Sequence, residues 1–261
     1  MSQLEALIFD VDGTLADTER DGHLVAFNMA FKEAGLDWHW SAELYGDLLA
    51  VTGGKERIRY YLDDFYPSER GEKFSSPATQ DEAFIEFVAG LHAAKTHFYK
   101  QLMAEGAVPL RSGVVRLFKE AREANMRLAI ATTTTPGNVT ALLTHTLGED
   151  SIDWFEVIAA GDIVAAKKPA ADIYHYAIEQ MNLKPEQCLA FEDSHNGILS
   201  SKGADLKTVI TINDYTKDHE FTGADLILSD FGEPDQPMSV LSGDCDDSYF
   251  SLSTARKIHQ A

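Results

Sequence analysis

Six short apolar runs constrain this chain more than any other feature. They are Leu4 to Phe9, Arg127 to Ala131, Phe155 to Ala159, Cys188 to Phe191, Leu206 to Ile212 and Asp225 to Leu228. Each stops at polar residues or glycine, as buried strands do where they feed loops. From about Leu110 onward, helical patterns fill the gaps. Val114 to Asn125 places Val114, Val115, Leu117, Phe118 and Ala121 on one face. Asp172 to Met181 places Ile173, Tyr176, Ala177 and Gln180 in helical spacing, and Gly197 to Gly203 is a short helix candidate. Strand alternating with helix argues for a parallel sheet covered by helices.

The segment from Asp21 to Gly106 breaks that alternation. It holds almost only helical patterns, at His23 to Ala34, Lys55 to Phe65 and Asp81 to Met103, with a polar break at Gly71 to Pro77. The simplest architecture is an α/β, Rossmann-like core with a helical domain inserted just after its first strand. The expected division is 1–17 with 107–234 as the core and 18–106 as the helical insertion. Residues 235–261 form a polar, turn-rich tail in which no chemistry is evident. A chain of 261 residues, 44% hydrophobic, can build such a core.

Charge narrows the partners. The formal net charge is -20, which should repel nucleic acid and anionic membrane, so neither is expected as a partner. A small anionic substrate would need a locally basic pocket set against that field. Cys188 and Cys245 form no CxxC pair, which argues against a zinc knuckle or a thioredoxin-like site and fits a reducing compartment. The N-terminus lacks a basic leader region, and no apolar run approaches the ~20 residues of a membrane span. A soluble, cytoplasmic protein is the expectation. No sequence feature signals assembly, so a monomer is expected.

Four short motifs each fall at the end of an expected strand, the edge where open α/β sheets bind ligands. The first is Asp10-Val-Asp12-Gly-Thr14. Asp10 on a rigid strand end can attack phosphorus, and Asp12 can protonate the leaving oxygen and then activate water. Gly13 permits the tight turn between them. A calcium loop also begins with Asp-x-Asp, but it requires glycine at its sixth position, and here the glycine is at the fourth.

The second motif is Thr132 to Thr135, whose hydroxyls and backbone N–H groups can hold phosphoryl oxygens. The third is Lys168-Pro169, where the lysine can offset phosphoryl charge and keep Asp10 ionised. Lys167 beside it reads as solvated. The fourth is Glu192-Asp193-Ser194. Asp10, the Asp12 carbonyl and Asp193 offer Mg²⁺ hard oxygens, with Glu192 expected behind the ligands rather than among them. Taken singly, each motif has a bland reading as an acidic loop, a turn, a surface lysine or a helix cap. Their order along the chain is what carries the chemistry. There is no GxxxxGK[ST] phosphate loop, GxGxxG fingerprint or GxSxG elbow. His92 and His97 lie five apart, not at the spacing of a helical metal pair.

On these motifs, with Lys168-Pro-Ala-Ala-Asp172, the chain resembles the haloacid dehalogenase superfamily of aspartate-nucleophile phosphatases and phosphomutases, from Leu4 to about Asp230. The resemblance implies that the helical insertion is a cap. Within the superfamily the chain is most similar to the CbbY type, phosphatases of sugar bisphosphates such as xylulose 1,5-bisphosphate. That likeness rests on Asp17 to His23, Thr52 to Arg57, Gly90 to Lys95 and Ala131 to Thr135. It implies substrate contacts at Glu19, Gly53, Gly54, Lys55, Arg57, His92 and Lys95 in the insertion, and at Thr133 and Thr134 in the core. A second phosphate needs fixed cations, and Lys55, Arg57 and Lys95 offer them, with Gly53 and Gly54 opening a helix N-terminus. Arg59 reads as solvated.

Two departures stand out. The related mutases carry a histidine twelve residues after the nucleophile, where this chain has Gly22, with His23 one later. The usual second proline of the lysine motif is Ala171. The expected activity is Mg²⁺-dependent hydrolysis of a sugar (bis)phosphate through phosphorylated Asp10. A phosphosugar mutase and a non-catalytic sugar-phosphate-binding regulator are the alternatives.

Overall fold

The computed structural model describes residues 3–51, 53–66 and 82–261. The polar break at Gly71 to Pro77 lies outside the described residues, as do Thr52 and Asp81. The chain forms two compact units, Met1–Thr18 with Val108–Ala261, and Glu19–Ala107.

The first unit is built on a sheet. Its strands are β1 (Ala6–Phe9), β2 (Arg127–Thr132), β3 (Val157–Ala160), β4 (Cys188–Glu192), β5 (Lys207–Thr211), β6 (Leu226–Leu228) and β7 (Val240–Ser242). Among the described residues the order is β3-β2-β1-β4-β5-β6-β7. All neighbours are parallel except β6 and β7. This is the expected α/β, Rossmann-like core. The β1 sequence Ala-Leu-Ile-Phe is apolar throughout because the strand is buried on both faces. Ile8 pairs with Ala129 on one side and Ala190 on the other.

Three helices of this unit set the strand-end loops. In α5 (Val114–Glu123), Val114, Leu117, Phe118 and Ala121 are buried at helical spacing. In α7 (Asp172–Gln180) the buried face is Ile173, Tyr174, Ala177 and Ile178. Tyr176, which the sequence spacing also placed there, is half-buried against the same core, whereas Gln180 is exposed. The i, i+1, i+4, i+5 choice keeps Ile173 and Ala177 and brings in Tyr174, whose hydroxyl finds a buried partner. In α8 (His195–Gly203), Ser194 caps the N-terminus by accepting from Gly197 N at 3.1 Å. A further helix, α6 (Pro136–Leu147), starts from a Thr135 cap with proline in its first turn.

Residues 235–261 are structured as part of this unit, through β7 and α9 (Leu252–Gln260). Phe250 is fully buried and packs edge-on to Phe191 at 5.5 Å. Both cysteines are free.

The second unit is helical, with α1 (Val25–Glu33), α2 (Ala42–Leu48), α3 (Gly54–Tyr60) and α4 (Glu82–Ala104). A π-helical turn over Thr18–Leu24 precedes α1, and another over Tyr61–Phe65 follows α3. Its core is aromatic: Phe27, Phe31, Trp38, Trp40, Tyr45 and Tyr61 pack with ring centroids about 5–6 Å apart. Asn28 holds both the N–H and the carbonyl of Trp40, each at 2.9 Å. No helix among the described residues is long and apolar enough to cross a membrane.

Candidate active site

Asp10 follows β1 directly, and its N–H donates to Phe191 O at 3.0 Å, so the sheet ladder fixes its backbone. Beneath it Phe9 stacks on Phe191 at 4.4 Å and meets Phe118 edge-on at 5.1 Å. A strand end on such a base cannot shift without disturbing the core.

Lys168 reaches the same point from the loop before α7. Its Nζ lies 2.6 Å from Asp10 Oδ1, 2.6 Å from Glu192 Oε1 and 2.9 Å from Ala131 O. The three acceptors use the three N–H groups of one ammonium. Burial works against that charge, but Asp10 and Glu192 outweigh it and hold the Lys168 pKa above its ordinary value. Glu192 Oε1 also accepts from Tyr174 Oη at 2.5 Å.

Asp10, Glu192 and Asp193 are all buried and bring carboxylate oxygens within 4.8 Å of one another. Burial raises the pKa of Glu192, with Lys168 opposing and Asp10 adding. Burial also raises that of Asp193 strongly, with Asp10 and Glu192 adding and Asn213 and Arg111 opposing. Crowded anions of this kind are relieved by a cation. Glu192 Oε2 is buried with no hydrogen-bond partner. Three hard oxygen donors with surplus negative charge fit Mg²⁺. Two glycines admit the carboxylates: a Cβ on Gly13 would lie 2.1 Å from Asp193 Oδ2, and one on Gly197 would lie 1.9 Å from Glu192 Oε2.

Asp12 is half-buried and accepts from Thr18 Oγ1 at 2.6 Å. Thr132 ends β2 beside β1, buried, and its Oγ1 accepts from Thr134 N at 3.3 Å. Thr134 Oγ1 in turn accepts from Asn138 Nδ2 at 3.2 Å, and Thr133 is exposed. Lys167 is exposed and pairs with Asp162 at 2.8 Å. The sequence motifs thus converge on one sheet edge, with Glu192 in the carboxylate cluster and its Oε1 already taken by Lys168 and Tyr174.

Four contributors were not singled out from the sequence. Tyr174 and Thr18 belong to no strand-end motif. Arg111 gathers Gly13 O, Ile212 O and, at 2.8 Å, Ser229 O. Asn213 donates to Asp193 Oδ2 at 2.7 Å. Of the four, Asn213 had a readable signal, since it is the polar residue that closes the fifth apolar run.

In the helical unit the implied substrate residues cluster among themselves. Tyr45 Oη donates to Glu19 Oε2 and accepts from Arg57 Nη1 at 2.6 Å, and Arg57 lies 3.5 Å from Glu19. Arg57 is buried. Lys95, also buried, lies 2.9 Å from His23 Nδ1 and over the rings of Phe27 and Tyr99. Gly53 and Gly54 open α3, with Gly54 against the His92 ring and Lys55 exposed. Burial lowers the pKa of His23 to about 3, with Glu19 opposing and Lys95 adding. Burial tends to raise that of Glu19, but His23 and Arg57 outweigh it and the net shift is downward.

Comparison with known proteins agrees with this geometry. A family model described as haloacid dehalogenase-like hydrolase matches residues 4–205. The plasmid CbbY protein of Cupriavidus necator is 47% identical over 236 residues, 90% of this chain and 89% of that protein. The crystal structure of CbbY from Rhodobacter sphaeroides in complex with phosphate superposes with a TM-score of 0.72 at 44% identity, over 88% of this chain and 96% of that one. A mutant of that protein, in complex with xylulose 1,5-bisphosphate, superposes with the same TM-score and identity.

Proposed function

This chain belongs to the haloacid dehalogenase-like hydrolases and is a phosphatase, and we propose that it hydrolyses xylulose 1,5-bisphosphate or a closely similar sugar phosphate through a phosphorylated Asp10. The observation that carries the reading is the Lys168 ammonium 2.6 Å from Asp10 Oδ1 on a buried strand end. It fixes the direction of the nucleophile and sets a positive charge beside it.

In the first half-reaction an Asp10 oxygen bonds to phosphorus and the bond from phosphorus to the sugar oxygen breaks. Asp12 gives that oxygen its proton. Thr132, through its hydroxyl, and Lys168, through its charge, stabilise the phosphoryl oxygens. In the second half-reaction Asp12, now a carboxylate, takes a proton from water. The water oxygen bonds to phosphorus, phosphate leaves and Asp10 is restored. Asp10, Asp193 and the Asp12 carbonyl would hold Mg²⁺, which when bound supplies positive charge against the phosphoryl oxygens and the clustered carboxylates.

Substrate choice belongs to the helical unit. The named complex of the Rhodobacter sphaeroides relative supports a bisphosphate. Lys55, Arg57 and Lys95 are the cations assigned to its second phosphate, Glu19 and His92 to its hydroxyls, and Gly53 and Gly54 to backbone contact. Thr133 and Thr134 are assigned to the transferred group.

Asp10→Asn tests the mechanism. Phosphate release from xylulose 1,5-bisphosphate with Mg²⁺ should fall by more than about a thousand-fold, with the far-UV circular dichroism unchanged. Turnover retained in that variant would sink the covalent route. Incubating the wild type with a hexose 1-phosphate in ¹⁸O-labelled water separates hydrolysis, seen as labelled phosphate, from mutase action, seen as an isomeric sugar phosphate.

A further inference from the structure

We infer that Asn213 is a positioning residue for Asp193, holding one carboxylate oxygen so that the other is presented to Mg²⁺. The inference rests on the reading above, in which Asp193 helps to hold the metal.

Asn213 stands two residues beyond β5, and its own loop fixes its side chain. Tyr215 N donates to Asn213 Oδ1 at 2.9 Å. With the amide oxygen engaged there, the Nδ2 end must face the other way. It faces Asp193 Oδ2, donating at 2.7 Å, and also reaches Gly13 O at 3.5 Å. The backbone is tied as well: Asn213 N donates to Thr216 Oγ1 at 3.0 Å, and Asn213 O accepts from Thr216 N and Lys217 N, each at 3.1 Å.

The root of this loop is clamped by Arg111. That guanidinium donates to Ile212 O, to Thr211 Oγ1 at 3.1 Å and to Gly13 O. The Gly13 turn that places Asp10 and Asp12 is therefore tied to the loop that carries Asn213. Asp193 Oδ2 lies between the two, bonded by the Asn213 amide and packed on Gly13 so closely that a Cβ would lie 2.1 Å away. With Oδ2 engaged in this way, we assign Oδ1 to the metal. Without the amide, repulsion from Asp10 and Glu192 would turn Asp193 out of register. Partners that orient metal-binding groups in this way typically change metal affinity 10- to 100-fold.

Calorimetric titration of Mg²⁺ into the substrate-free protein tests the inference, on wild type, Asn213→Ala and Asn213→Asp. Asn213→Asp keeps the size of the side chain and the acceptor for Tyr215 N, so the loop survives, but it cannot donate to Asp193. Both variants should bind Mg²⁺ about ten-fold or more weakly, with circular dichroism unchanged. The Mg²⁺ half-saturation of phosphate release should rise in parallel. Asn213→Asp binding Mg²⁺ as tightly as wild type, or more tightly, would overturn the inference and leave the metal assignment standing. Wild type that binds no Mg²⁺ would overturn both. If Asn213→Ala is misfolded, Asn213→Asp decides.

Discussion

His23 shows how a single residue can be locked by its neighbours. Lys95 can only donate, so the 2.9 Å contact makes His23 Nδ1 an acceptor and puts the ring proton on Nε2. A second proton would face Lys95 directly. Burial, with Lys95 adding and Glu19 opposing, keeps the folded ring neutral until about pH 3, whereas in the unfolded chain it titrates near 6.5. Between those values only the unfolded state takes up the proton, so His23 makes folding less favourable as pH falls through that window. In NMR spectra the His23 ring should hold neutral-imidazole shifts from about pH 8 down to about pH 5. A midpoint near 6.5 would show that the ring is not buried beside Lys95 in solution. At the same scale, Asp10, Thr132, Lys168 and Asp193 could be read from the sequence because each ends an apolar run or adjoins a proline. Tyr174 could not, since its burial depends on which of two helix faces meets the sheet.

At the scale of elements, the antiparallel β7 is exposed along its length and was missed, while the six parallel strands were legible to within a residue or two because their apolar runs stop abruptly. The helices α2 and α6 were not. The first is seven residues with an internal glycine, and the second is rich in threonine, so neither carries a strong apolar stripe. The stretch 235–261 was misjudged for a related reason. Its apolar residues are few, but Phe250 enters the aromatic cluster beneath the site, edge-on to Phe191 and 5.6 Å from Phe231. Arg116 fastens it by donating to Phe250 O at 3.0 Å and to Glu233 at 3.0 Å. Phe250→Ala should destabilise the first unit by about 3–5 kcal/mol, read as a lowered urea midpoint. A loss under about 1 kcal/mol would mean that the tail is only laid against the core.

At the scale of the whole molecule, charge dominates. A net -20 on 261 residues opposes compaction through self-repulsion. Raising NaCl from about 20 mM to about 200 mM shortens the screening length roughly three-fold, so the melting temperature should rise, by a few degrees for a protein of this size. A melting temperature that falls with salt would show that local ion pairs outweigh the global field. Against that field, Lys168 in the first unit and Arg57 and Lys95 in the helical unit are cations held in place by their own partners.

The position of β1 has one more consequence. It lies between β2 and β4, so its backbone partners are residues 127–132 and 188–192. A ribosome delivers Ala6–Phe9 long before either partner exists. The helical unit, continuous from Glu19 to Ala107, leaves the exit tunnel next and can fold on its own timetable. The strand that leads into Asp10 therefore cannot be flanked on both sides until residues 188–192 have been made. A nascent chain stalled before residue 188 holds Asp10 without the strand that carries Glu192, and so without a complete carboxylate cluster.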